Sequence, residues 1–311
     1  MDFLQALFLT PFGNMWDNPE FLLEVVIGGL LSGVMYSLVA LGFVLIFKAS
    51  GVFNFAQGTM VLFAALTFVG MMERGVPIWG AFVIAAAVMV LLAIAIERLM
   101  LRPLVNQEPI ILFMATIGLA AVLRGTATLA FGAGTRAIVM PIGDEPIELG
   151  PVMLPPVQVV GAVVSIVFLA AFSWFFLKSR IGIAMRAVAD SQQVAMAMGI
   201  DVRRYFALAW AMAGVVSALG GVVWGTMLGV DNQLALVGLK VFPVVILGGL
   251  DSIIGAVVGG LIVGIVENLA AGYLDPYVGG GTKDFAPYLL MIAALMVRPE
   301  GIFGRRRIER V

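Results

Sequence analysis

SRIGIAMRAVADSQQVAMAMGIDVRR, residues 179–204, is a polar island in a chain that is otherwise almost continuously apolar. Val157–Leu177 lies on one side of it and Tyr205–Met227 on the other. Each run is about the ~20 residues that a helix needs to cross a bilayer. The island is therefore a cationic loop, rich in Ala and Met, held at one membrane face where a soluble partner can grip it. Ala184–Met198 consists largely of good helix formers and Gly199 is a suitable terminator, which predicts a short helix lying along that face. Ala187, Ala189, Ala195 and Ala197 would let this helix seat in a groove, and Asp190 is placed to cap or pair within the contact. The competing reading is an ordinary solvated loop.

The composition supports the same frame. Of 311 residues 62% are hydrophobic and only 12% charged, and the mean hydropathy is +1.09. A soluble domain has no interior large enough for this much apolar surface, so lipid must cover much of it. Long runs without period-two alternation favour helices over a barrel. The expected fold is all-α: a polytopic integral membrane protein of about 8–9 transmembrane helices, with a short or broken one near residues 239–250 and a single domain over residues 1–311. The chain contains no cysteine and no histidine. That removes disulfides, thiol and histidine nucleophiles, Ser–His proteolysis within the membrane, and the usual Zn, haem and Fe–S ligands. No Gly-Lys-Ser or Gly-Lys-Thr is present to cradle a phosphate. Catalytic, cofactor and metal sites are not expected, nor is a nucleic-acid partner, and any ATP hydrolysis must reside on another chain. The opening MDFLQALFLT has no cationic n-region and does not read as a cleaved signal peptide.

The expected spans are Phe21–Phe47, Phe55–Met72, Trp79–Met100, Pro109–Phe131, Val157–Leu177, Tyr205–Met227, a short Leu239–Leu250, Ile253–Gly272 and Phe285–Val297. With the N-terminus outside, the inner face receives Lys48, Arg98, Arg102, Lys178, Arg180, Arg186, Arg203, Arg204, Arg298, Arg305, Arg306, Arg307 and Arg310, most of the 18 Lys and Arg residues. The positive-inside rule is thereby satisfied. The outer side collects Asp17, Glu20, Asp144, Glu145, Glu148, Asp231, Asp275 and Asp284. Leu239–Leu250 is too short for an ordinary crossing at ~1.5 Å per residue. Merging it with Ile253–Gly272 would put the final Arg cluster outside, so a break near Gly248–Ser252 is expected. The outer loop Gly132–Pro156, with Pro141, Pro146, Pro151, Pro155 and Pro156, reads as an extended connection.

Glycines recur four residues apart at Gly29 and Gly33, at Gly221, Gly225 and Gly229, at Gly255 and Gly259, and at Gly260 and Gly264. Such spacing lines small residues along one helix face and lets backbones approach. They serve either a bundle that slides around a pathway or static packing. Arg124 and Glu267 are charges inside apolar spans, which are costly there. They are expected to pair, or with Asn268 to line a pathway, or else to snorkel to the interface. Asn54 and Gln57 are either polar contacts near an inner gate or caps of the second span.

GLLSGVMYSLVALGFVLIFKASGVFNFAQGTMVLFAALTFVG, beginning at Gly29, resembles the opening of the permease subunits of branched-chain amino acid ABC importers. MRAVADSQQVAMAMGIDV resembles their cytoplasmic coupling loop, LKVFPVVILGGLDSIIGAVVGGLIVGIVENL their late Gly-rich segment, and LMVRPEGIFG their end. The matches fall in the expected order over most of the chain. One departure is Gln57, within Asn54-Phe55-Ala56-Gln57-Gly58, where the family usually has histidine. Glutamine keeps a hydrogen-bonding side chain but does not titrate near neutral pH.

The resemblance implies a multi-pass permease of the bacterial inner membrane, working by alternating access, with its C-terminus cytoplasmic. It implies a periplasmic binding protein, a second permease subunit of different sequence, and two ATP-binding subunits. Residues 179–204 would be the coupling loop, with Arg186, Ala189, Asp190, Gly199 and Asp201 at the contact, and residues 132–156 would be periplasmic. The substrate it implies is an amino acid, of the branched-chain class first, with urea or short amides handled by near relatives. A rival from another class is a self-sufficient ion-coupled carrier built on Glu267, Arg124 and Asp251. A membrane-embedded enzyme is disfavoured, because Asp251 and Glu267 fall near opposite faces of one segment.

Overall fold

A computed structural model describes residues 15–104, 107–143 and 145–304. Arg305, Arg306, Arg307 and Arg310 of the expected inner cluster, and Asp144 of the outer set, lie outside these residues. Each of the expected spans is a helix. They are α1 (Pro19–Ser50), α2 (Gln57–Met72), α3 (Ile78–Ile96), α4 (Pro109–Phe131), α5 (Pro156–Lys178), α8 (Val202–Leu228), α9 (Val237–Gly248), α10 (Ile253–Tyr273) and α12 (Thr282–Val297). Two short helices, α6 (Arg180–Asp190) and α7 (Gln192–Ala197), lie between α5 and α8, and α11 (Asp275–Val278) links α10 to α12. Among the described residues six helices are long and apolar enough to cross a membrane, α3 counted with its extension to Leu104.

The ends follow local chemistry. Pro109 occupies the first turn of α4, where its missing N–H costs nothing, and Gly132 at φ 84° stops that helix. α3 passes into a π-helical turn, Glu97–Leu101, and then a 3₁₀ turn, Arg102–Leu104. Within it Glu97 is buried and takes a hydrogen bond from Arg102 Nε at 2.9 Å.

Contacts within the chain form two compact units. The first comprises Met1–Ser37, Pro141–Ile166 and Lys240–Val311. Here α1 and α10 run antiparallel with their backbones touching. A Cβ on Gly33 would stand 2.6 Å from Gly260 O and 2.8 Å from Leu261 Cα, and one on Gly29 would stand 2.8 Å from Ile265 Cα. Ser37 Oγ, one turn beyond Gly33, donates to Gly33 O at 2.8 Å, which satisfies a hydroxyl that lipid could not. Gly255 and Gly259 face the end of α9, where a Cβ on either would run into the backbone of Gly248 or Val244.

The break expected near Gly248–Ser252 is a tight turn. Gly249 adopts φ 104°, and Ser252 Oγ caps α10 by accepting from Gly255 N–H at 3.0 Å. The carbonyls of Leu247 and Gly248, left over at the end of α9, accept from Ile302 N–H (2.8 Å) and Phe303 N–H (3.1 Å). The loop Gly132–Pro156, expected to be an extended connection, contains a hairpin. β1 (Ile147–Leu149) pairs antiparallel with β2 (Val152–Leu154), with Leu149 opposite Val152. Gly150 at φ 67° and Pro151 make its two-residue turn, whose positive φ glycine supplies without strain.

The second unit comprises Leu38–Met140 and Val167–Leu239. α8 is its centre, packed on α2 and α3. A Cβ on Gly221 would lie 2.6 Å from Val61 O and 2.9 Å from Ala65 N, and one on Gly214 2.6 Å from Met89 O. Met60, Met89, Trp210 and Ala213 fill the core between them. Gly225 instead faces side chains, Ile138 at 2.9 Å and Val230 at 3.0 Å. Gly229, expected in the same packing row, is the residue that ends α8, with φ 80°.

Substituting Gly33 by Ala is expected to cost about 1–3 kcal/mol, since backbone on the facing helix must retreat. Gly118→Ala, in α4 with nothing within 4 Å of the new Cβ, is expected to be neutral or to gain up to about 1 kcal/mol. Thermal unfolding of the two variants in one detergent checks the contrast.

Candidate functional site

In antiparallel helices, side chains lean toward their own N-termini and so toward each other. That tilt brings Tyr36 of α1 to Glu267 of α10, where the phenol donates to Oε1 at 3.0 Å. Lys240 Nζ of α9 lies 3.4 Å from the same oxygen and 2.8 Å from Asp284 of α12, and Lys283 Nζ lies 3.8 Å from Glu267. The result is a charge-balanced ladder of two carboxylates and two ammonium groups. It runs from Glu267, whose side chain is 1% exposed, to Asp284, at 72%. A lone buried carboxylate would be costly, and the two lysines and the phenol offset that cost. Asp284 precedes the apolar stretch of α12, and the hydrogen bond from Lys240 holds its carboxyl below the usual carboxylate range.

Pairing with Arg124 was one of three readings for Glu267, beside lining a pathway and snorkelling. Among the described residues the cations within 4 Å of Glu267 are Lys240 and Lys283, while Arg124 is exposed on α4. Asn268 Nδ2 turns back to donate to Gly264 O at 3.0 Å. The part played by Lys240 was missed. Its signal was a lysine inside an apolar helix, which needs a counter-ion as much as Glu267 does.

The second unit holds an uncharged network. Asn54 and Gln57 are fully buried. Asn54 Nδ2 donates to Gln57 Oε1 (3.3 Å), Gln57 Nε2 to Ser217 Oγ of α8 (3.0 Å), and Ser217 Oγ to Ala213 O (2.8 Å). The cap of α2 is Ala56, which makes no side-chain cap bond. Asn54 instead closes the turn ahead of the helix, its Oδ1 accepting from Ala56 N–H at 3.1 Å. Neither side chain caps α2: they make a polar contact with each other, and Gln57 with Ser217. Gly42 makes room for it, because a Cβ there would collide with the Gln57 amide. Beside it Phe43, Phe53, Phe55 and Phe113 form a row with successive centroids 5.2, 5.0 and 4.6 Å apart.

Residues 179–204 also belong to the second unit. Ser179 Oγ caps α6 by accepting from Gly182 N–H at 2.9 Å. Gly182 lies so close to the last turns of α5 that a Cβ would meet the Phe176 backbone, and Arg186 Nη2 donates to Leu177 O at 3.0 Å. The single helix expected over Ala184–Met198 is two. Ser191, extended at φ −159°, interrupts it and caps α7 by accepting from Val194 N–H at 3.3 Å, a role serine fills better than helix interior. Gly199 at φ 80° turns the chain, and Asp201 Oδ1 starts α8 by accepting from Arg203 and Arg204 N–H. Val188, Ala195 and Val202 bury one face against Ile200, Tyr205 and Phe206. Ile181, Ile183, Val194, Met196 and Met198 remain exposed, Ala189 is half-buried and Asp190 is exposed.

The sequence pattern of the family described as branched-chain amino acid transport system / permease component matches residues 25–295. The chain belongs to that family. The match runs from α1 into α12 and so takes in both polar networks and the whole of the α6–α7 segment. Relatives include the high-affinity branched-chain amino acid transport system permease protein LivH of Escherichia coli, 30% identical over 94% of this chain and 98% of its own. BraD of Pseudomonas aeruginosa, of the same description, is 30% identical over 93% and 98%. The probable LivH of Methanocaldococcus jannaschii is 28% identical over 89% and 91%. This family member is a membrane transport permease subunit.

Lys240→Met removes the nearer ammonium from Glu267. With Lys283 in reserve and Lys240 partly solvated, the expected cost to the permease is about 1–3 kcal/mol. Lys240→Met with Glu267→Gln is expected to cost less than the sum of the single changes. A double-mutant cycle on thermal unfolding in detergent measures the coupling.

Proposed function

We propose that this chain is the transmembrane permease subunit of an ATP-driven importer of amino acids, branched-chain ones first. The observation that carries this reading is the family match, which runs unbroken through the α6–α7 segment. That segment has what a docking element needs: a fixed start on the end of α5, a buried inner face, and exposed apolar side chains outward. Val194, Met196 and Met198 would seat on an ATP-binding subunit, with Arg186, Ala189, Asp190, Gly199 and Asp201 shaping the contact. Two such subunits, a second permease chain of different sequence and a periplasmic substrate-binding protein complete the importer.

In this reading the protein lies in the bacterial inner membrane, residues 179–204 and the C-terminus face the cytoplasm, and residues 132–156 face the periplasm. ATP binding would pull the docked segments together, and helices α5 and α8, which flank α6–α7, would carry that movement into the membrane. Asn54, Gln57, Arg124, Glu267 and Asn268 are the candidates for the pathway. A self-sufficient ion-coupled carrier is the poorer reading. The carboxylate it would rely on, Glu267, is already matched by two lysines.

Val194→Asp with Met198→Asp places charges on the exposed side of α7 without touching the core. The pair is expected to abolish both co-purification of the ATPases and ATP-dependent leucine uptake into proteoliposomes, while thermal unfolding of the permease stays unchanged. Retained uptake would sink the docking assignment. Because the chain has no cysteine, single cysteines report sidedness directly. Gln193→Cys is expected to react with an impermeant maleimide only from the cytoplasmic side and Gly143→Cys only from the periplasmic side.

A further inference from the structure

Helices α1 and α5 each run from the first unit into the second: Pro19–Ser37 and Pro156–Ile166 belong to the first, Leu38–Ser50 and Val167–Lys178 to the second. They are tied together twice. In the first unit Gln158, near the start of α5, donates through Nε2 to Gly28 O and to Ser32 Oγ of α1, each at 3.0 Å. An amide in an apolar helix needs such partners, and polar groups of this kind hold helices together in lipid. In the second unit the Lys48 ammonium, in the last turn of α1, lies over the ring of Phe176 in the last turn of α5, 5.7 Å from its centroid. At ~1.5 Å per residue the ties are about 30 Å apart along α1 and nearly as far apart along α5, the match that two helices bound side by side at both ends require.

Phe176 has two further contacts. Its ring is 4% exposed and stacks on Phe172, with centroids 6.0 Å apart and planes at 19°, so it does not turn freely. Its backbone seats the start of α6: a Cβ on Gly182 would run into Phe176 O, and Arg186 Nη2 donates to the adjacent Leu177 O at 3.0 Å. The residue on which the α6–α7 segment rests is therefore the residue that Lys48 holds. A lysine that only met the carbonyl end of its own helix, or only reached for the membrane surface, has no need of an aromatic face.

We propose that Lys48 and Gln158 are positioning residues of the transport cycle. They bind α5 to α1, so that a movement imposed on α6–α7 reaches α1 and, through the contact at Gly33, α10. The cation over the Phe176 ring is where α1 takes up that movement. The inference rests on the importer reading, in which α6–α7 docks an ATP-binding subunit.

The test uses the permease with its co-purifying partners in proteoliposomes and reads leucine taken up per ATP hydrolysed. Lys48→Met and Gln158→Met are each expected to lower that ratio about tenfold, with ATPase co-purification and the hydrolysis rate kept within about twofold of wild type. Lys48→Arg keeps a cation over the ring and is expected to retain the wild-type ratio. Phe176→Leu keeps an apolar side chain without the ring face and is expected to match Lys48→Met, the double change being no worse than either single one. An unchanged ratio in Lys48→Met overturns the proposal. So does a joint loss of partners, hydrolysis and uptake that Lys48→Arg does not repair, because Lys48 then serves only folding. Gln158→Met, at the other end of both helices, reads the tie independently where Lys48→Met folds poorly. A wild-type permease that takes up leucine without ATP-binding partners instead overturns the importer reading, and the inference falls with it.

Discussion

A side chain at Gly33 would have to share the space of the Gly260 carbonyl, and one at Gly221 that of the Val61 carbonyl. Lipid tails are as apolar as leucine, so helices in a bilayer gain little from hiding apolar surface from one another. What holds them is close contact, and close contact requires that a side chain be absent. The same contacts set register. Ser217 lies one turn before Gly221, and Gln57 one turn before Val61, so seating Gly221 places the Gln57–Ser217 hydrogen bond. In the other unit, the antiparallel contact of α1 with α10 fixes where Tyr36 and Glu267 can meet. Both polar networks are consequences of how near two backbones can come.

The two networks differ in kind. Around Glu267 the members are charged and graded in exposure, so each charge is tied to its neighbours and loss of one leaves another uncompensated. Around Gln57 every member is an amide, a hydroxyl or a backbone carbonyl. None gains or loses a proton across the physiological range, which a histidine in place of Gln57 would do. The second unit thus keeps a buried polar contact to the α8 helix that is indifferent to the pH on either side of the membrane.

Helix positions were readable because apolar length is a one-dimensional property: Pro109–Phe131 was placed to the residue, and the break at Gly248–Ser252 followed from a glycine pair and a short run. The small-residue faces of α1 and α10 were readable for the same reason. Partners were not. Arg124 and Glu267 each announced a need for compensation, but which cation answers Glu267 depends on helix pairing, which periodicity does not encode. The break at Ser191 was also passed over. Helix propensity summed over Ala184–Met198 outweighs one serine, and the competing local bond to Val194 N–H shows only in three dimensions. The hairpin at Ile147–Leu154 was hidden among prolines, one of which, Pro151, sits where its turn requires it.

The π-helical turn Glu97–Leu101 has a different consequence. Such a turn accommodates one residue more than a regular helix of the same rise. Elsewhere in a spanning helix, removing a single residue rotates everything beyond it by roughly 100° and turns its lipid face inward. At Glu97–Leu101 the surplus is already present, so a one-residue shortening can be absorbed by reverting to α-helix while Ile78–Ile96 keeps its facing. At this turn the length of the chain can change without changing which side chains of Ile78–Ile96 meet their neighbours.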